Sequence, residues 1–141
     1  MSAPIVVAVL DTNVLISGLI SQPSSPPARL LTAWTERRFS VVTSAALLAE
    51  FQAVTLRPHI RTRLHASHLQ ELWRTIREGA MVVTPASGVP AWTKDPADNV
   101  LFSTALAGDA GYVVTGDGKR LALGTVEAVK VVSPRTFVST L

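Results

Sequence analysis

The chain has 141 residues, and 48% of them are hydrophobic, so disorder is excluded and one domain with a sizeable core is expected over residues 1–141. It has no cysteine, which removes disulfides, thiolate catalysis and Cys-ligated zinc. The net charge of +3 is uneven: Arg29 to Arg77 holds eight Arg and three acids, while 1–28 and 78–141 each sum to −1. No apolar run reaches bilayer length, and the start Met1–Ile5 lacks the basic segment of a secretory leader. A cytoplasmic protein with no membrane contact is expected.

Ile5–Leu10 is apolar throughout, as in a strand covered on both faces, and ends at Asp11. Ser21–Ser25 is a polar loop, and Pro26-Pro27 opens a helix to about Arg38, because proline suits the first helical turn. A short strand is predicted over Phe39–Val42. Thr43 or Ser44 then caps a helix from Ala45 to about Leu56, whose apolar face carries Leu47, Phe51 and Val54. Arg57-Pro58 ends it. A further helix covers Ser67–Glu78, with Leu69, Leu72, Trp73 and Ile76 on one face and capping-box spacing between Ser67 and Gln70. Met81–Thr84 is a strand, Pro85–Trp92 an irregular connection and Ala97–Leu106 a helix. Strands follow at Tyr112–Thr115 and Val129–Val132, and Ser133-Pro134 starts a short last helix. Strands alternating with helices predict an α/β fold: a mostly parallel central sheet flanked by helices as an α/β/α sandwich.

Four of the ten acids fall at unusual places. Asp11 ends the first strand and Asp117 follows another, and in an open α/β sheet ligands bind beyond the carboxyl ends of the strands. By periodicity, Glu50 shares the face of Leu47 and Val54, and Asp98 shares that of Leu101 and Phe102. Each has a plain alternative: a turn residue for Asp11, a helix-start residue for Asp98, an Arg-paired structural group for Glu50. Two carboxylates about 4 Å apart repel by roughly 4 kcal/mol at an effective dielectric of 20, so a convergent set calls for a cation. An all-oxygen shell suits Mg²⁺ or Mn²⁺. His65 and His68 have ligand spacing but no third partner nearby. The Arg-only basic segment suits phosphate contacts or a solvated helical surface, and Trp92 is expected in loop packing ahead of base stacking.

Val9-Leu10-Asp11-Thr12-Asn13-Val14-Leu15-Ile16-Ser17 resembles the opening motif of PIN-domain nucleases. Leu48-Ala49-Glu50-Phe51, Lys94-Asp95-Pro96-Ala97-Asp98-Asn99 and Val113-Val114-Thr115-Gly116-Asp117 are similar to the family's second, third and fourth acidic positions, and Val132-Ser133-Pro134-Arg135-Thr136-Phe137 to its ending. The nearest subgroup is the toxin components of bacterial toxin–antitoxin pairs, related to VapC. The resemblance implies a single PIN-like domain and an endoribonuclease hydrolysing RNA phosphodiester bonds with one or two Mg²⁺ or Mn²⁺ ions. Asp11, Glu50, Asp98 and Asp117 would be its catalytic and metal-binding acids, supported by the polar Thr12, Asn13 and Thr115. Arg57, Arg61, Arg63 and Lys119 would contact RNA. Lys119 departs from the pattern, since relatives often carry another acid there, and this bears on the second metal. The resemblance further implies a homodimer and a small protein antitoxin, for which an Arg inserted among the carboxylates would be a sensible inhibitor. The alternatives are a catalytically weak PIN-like module binding RNA or protein, and a haloacid-dehalogenase-like phosphatase with Asp11 as nucleophile, for which Asn13 replaces the usual second acid.

Overall fold

The computed structural model describes residues 5–141; the start of the chain, Met1–Pro4, where a leader is expected to be missing, lies outside the described residues. In chain order the elements are β1 (Val7–Leu10), α1 (Thr12–Ile20), α2 (Pro26–Thr35), β2 (Ser40–Thr43), α3 (Ala45–Thr55), α4 (Pro58–Arg61), α5 (Ala66–Gly79) and β3 (Ala80–Val82). Then come α6 (Pro96–Ala107), β4 (Tyr112–Val114), α7 (Gly118–Leu121), β5 (Thr125–Val126), β6 (Val129–Val132) and α8 (Pro134–Ser139). The strands form one sheet in the order β3-β2-β1-β4-β6-β5. Every pairing is parallel except that of the edge strand β5 with β6. This is the expected α/β architecture.

The uniformly apolar β1 has the predicted cause. Ala8 and Leu10 enter one core with Val14, Leu30, Trp34, Phe51, Leu72 and Phe137, contributed by helices on that face. Val9 points the other way, into a second core with Leu101, Phe102 and Ala105 of α6. The last helix is anchored by Phe137, whose ring meets Phe39 and Tyr112 edge-on at centroid distances of 4.9 and 5.4 Å. Such pairs add about 0.5–1.5 kcal/mol each beyond area burial.

The local details depart from the sequence reading in places, and some elements were not foreseen. β1 begins at Val7, and Ile5 is exposed. α1 fills the stretch between Asp11 and Ser21, for which no element is predicted; its consecutive Val14, Leu15 and Ile16 are all buried, which hides the helical period. α5 begins at Ala66 with His65 as N-cap and no capping side chain, so Ser67 already lies inside the helix and forms no capping box. The hairpin joining β5 and β6 turns through Glu127 and Ala128, both with positive φ (51° and 67°), where Asn or Gly would have signalled the turn. Ser133 does cap α8, accepting from the Thr136 N–H at 3.2 Å.

Gly108 at the end of α6 brings the chain against buried Val42 in the sheet. A Cβ there would collide with the Val42 side chain. Gly108→Ala is therefore expected to destabilise the fold by about 1–3 kcal/mol through overpacking, read as a lower urea midpoint at unchanged slope.

Candidate active site

The strand order reverses direction at β1. From β1 the chain adds β2 and β3 on one side, then crosses to β4 and β6 on the other. The crevice between the carboxyl ends of β1 and β4 is thus the switch point of the sheet, where open α/β folds bind ligands. Leu10 pairs with Val114, and the Asp11 N–H continues the ladder by donating to the Val114 carbonyl at 2.9 Å. Backbone pairing therefore places Asp11 and Thr115 side by side, although 104 positions separate them in sequence.

Asp11 is only 2% exposed, and its Oδ2 is the hub of the site. It accepts from Thr115 Oγ1 at 2.8 Å, Asn13 Nδ2 at 3.1 Å and Arg120 Nη1 at 2.7 Å. Asn13 is held in turn, because its Oδ1 accepts from the Gly116 N–H at 3.0 Å. Thr12 is buried in the first turn of α1. Asp98 enters from α6, where Asp95 caps the helix by accepting from the Ala97 N–H and Pro96 follows it. Its Oδ1 accepts from Arg120 Nε at 2.5 Å and its Oδ2 from Thr93 Oγ1 at 3.1 Å. The first helical turn also favours its charge.

Asp117 caps α7 by accepting from the Lys119 N–H at 2.9 Å, and its own N–H donates to Thr115 Oγ1 at 3.1 Å. One threonine hydroxyl thus links the two strand-end acids. Glu50 takes a different position from that expected: it is exposed on α3. The buried stripe of that helix is Leu47, Phe51 and Thr55, which advances by fours. At about 100° per residue, Glu50 lies roughly 100° around the helix from Phe51 and leaves the inward face. Among the described residues, no group of three or more His, Asp or Glu stands close enough to hold a metal ion. The geometry does unite Asp11 and Asp98 across Arg120.

Arg120 and Thr93 were not anticipated as site residues. Arg120 lies one helical turn after Asp117, so its position beside a strand-end acid was the available signal, overshadowed by the neighbouring Lys119. Burial opposes the guanidinium's charge. The hydrogen bond to Asp98 and the field of Asp11 outweigh it, so Arg120 holds its proton more tightly than an ordinary arginine. Arg57, Arg61, Arg63 and Lys119 are exposed. Arg63, His65, His68 and Glu71 line a cleft of about 480 Å³ against α1 and α2. Trp92 packs edge-on against Phe102 and donates to Glu127 Oε1 at 3.3 Å, in keeping with loop packing.

The family model described as PIN domain matches residues 7–119, from the start of β1 into α7. The chain belongs to the PIN-domain family, whose members are generally nucleases using divalent metal ions. This membership leaves the dehalogenase-like phosphatase reading without support. None of the curated proteins matches the sequence. Among solved structures, the chain is similar to one described as VapBC2 from Rickettsia felis bound to a DNA fragment from their promoter. The TM-score is 0.58 at 16% identity, covering 90% of this chain and 98% of that one. No helix among the described residues is long and apolar enough to cross a membrane.

The Thr115 hydroxyl is buried and joins Asp11, Asn13 and Asp117. Thr115→Val keeps its shape and removes those bonds, so a loss of about 1–3 kcal/mol is expected in chemical unfolding.

Proposed function

We propose that this chain is a Mg²⁺- or Mn²⁺-dependent endoribonuclease, and that it serves as the toxin of a toxin–antitoxin pair in the cytoplasm. The observation that carries the reading is the pair of carboxylates, Asp11 and Asp98, brought together on one cation at the switch point of a PIN fold. Their donor set fits the ion: Mg²⁺ is commonly bound by one or two carboxylates, with water and substrate phosphate completing its shell. The guanidinium that both acids hold supports the reading, because it marks a place between them where positive charge is favoured.

Asp11 and Asp98 would hold the ion. When bound, it supplies Lewis acidity toward the scissile phosphate and lowers the pKa of water. Asn13 and Thr115 fix the Asp11 carboxylate in one orientation, as outer partners of metal ligands do. Asp117 holds the start of α7 beside the crevice, while Glu50, the remaining acidic position of the family, is exposed on α3. The exposed Arg57, Arg61, Arg63 and Lys119 are assigned to the RNA backbone. The likeness to VapBC2 supports a small protein antitoxin as partner, and family resemblance supports a homodimer.

Asp11→Asn and Asp98→Asn are each expected to lower metal-dependent RNA cleavage by more than the roughly 10–100-fold typical of outer-shell substitutions, while Asn13→Ala should fall within that range. Cleavage of labelled RNA by nuclease-free preparations, with circular dichroism to verify folding, checks this. Undiminished cleavage by the doubly substituted protein would sink the proposal. RNA binding with no Mg²⁺- or Mn²⁺-dependent products would favour the alternative, a catalytically weak binding module, which the closure of the acids around Arg120 makes physically concrete.

A further inference from the structure

Arg120 is the unexpected member of the site. Its Nε donates to Asp98 and its Nη1 to Asp11, so one planar guanidinium spans a carboxylate from the end of β1 and another from the start of α6. All three side chains are largely buried, at 3%, 13% and 14% exposure for Asp11, Asp98 and Arg120. Arg120 itself sits in the short helix α7, which Asp117 caps directly after β4. The expected device for silencing such a site is an arginine brought in by a partner; here the chain supplies one from its own α7.

A divalent ion of the proposed kind binds carboxylate oxygens at about 2.0–2.1 Å. Asp11 Oδ2 and Asp98 Oδ1 cannot offer that contact to a metal while a guanidinium lies between them. The geometry points to Arg120 as an internal counter-cation: it neutralises Asp11 and Asp98 in the metal-free protein and has to swing out for a divalent cation to enter. This rests on the metal-dependent reading of the same site and adds to it a control on metal affinity. The swing requires only rotation about the side-chain bonds of a long residue at the crevice edge. Its cost appears in the metal affinity, because a ligand that binds only the open form is weakened by the fraction of molecules that are open. If the guanidinium is seated in nine molecules of ten, removing it tightens metal binding about tenfold. Lysine cannot reproduce the two-pronged contact, so it should weaken the competition without abolishing it.

The test is Mn²⁺ binding by calorimetry to the full chain and to its Arg120→Met, Arg120→Lys and Asp11→Asn variants, in the absence of RNA. Arg120→Met is expected to bind Mn²⁺ about tenfold or more tightly than the unsubstituted protein, Arg120→Lys to fall between, and Asp11→Asn to bind least. A second measurement needs no substituted protein to fold. The Nε–H resonance of Arg120 should be protected from solvent exchange without metal and lose that protection as Mg²⁺ is added. Equal or weaker Mn²⁺ binding by Arg120→Met, or an Nε–H that stays protected at saturating Mg²⁺, would overturn the counter-cation role and leave the metal site standing. Absence of Mn²⁺ binding in both the unsubstituted protein and Arg120→Met would overturn the metal reading and this inference together.

Discussion

Burying the carboxylate of Asp11 at the end of β1 constrains everything around it. A charge at 2% exposure is tolerated only when its oxygens are satisfied and its charge is balanced. Thr115 and Asn13 satisfy it from the adjoining strand end and the first turn of α1, and Arg120 balances it. Each of these partners needs a different part of the fold in place. The β1–β4 pairing brings Thr115, the start of α1 brings Asn13, and α7 brings Arg120. The site therefore depends on the assembled sheet and cannot form from a local segment.

The switch point gives this arrangement its functional meaning. Parallel strands point their carboxyl ends the same way, and the reversal of strand order at β1 leaves a crevice between β1 and β4. Asp98 reaches it from α6, the helix that precedes β4 and packs against the opposite face of the sheet from α1 and α2. A strand end of the sheet and the helix on one of its faces thus contribute acids to one edge. With Asp11 and Asp98 sharing one guanidinium, the two acids draw on a common counter-charge at rest. The guanidinium and the proposed metal are two solutions to one electrostatic problem.

Much of this was legible from local pattern. The β1 run, Asp98 in the first turn of α6 and the Gly116-flanked Asp117 each announce themselves within a few residues, because strand burial, helix starts and turn chemistry are short-range effects. Their order along the chain also carries the family likeness that the match over residues 7–119 bears out. Glu50 shows the limit of periodicity. A spacing of three from Leu47 is compatible with an inward face, but the packed stripe advanced by fours through Phe51 and Thr55 and left Glu50 in solvent. α1 was hidden for the opposite reason: three consecutive apolar residues are all buried, so no polar face interrupts them to mark the helix.

By itself the sequence determined the alternation of strands and helices, the mostly parallel sheet, and the placement of Asp11, Asp98 and Asp117 at element ends. These follow from side-chain periodicity, capping and turn chemistry, which act between near neighbours. Tertiary structure alone decided which of the acids meet. Arg120 lies 22 residues from Asp98 and 109 from Asp11, and only the assembled sheet brings all three together. The physical reason is that charge compensation acts through space: a buried carboxylate takes whichever cation the folded chain delivers to it, and no spacing in the sequence specifies that partner.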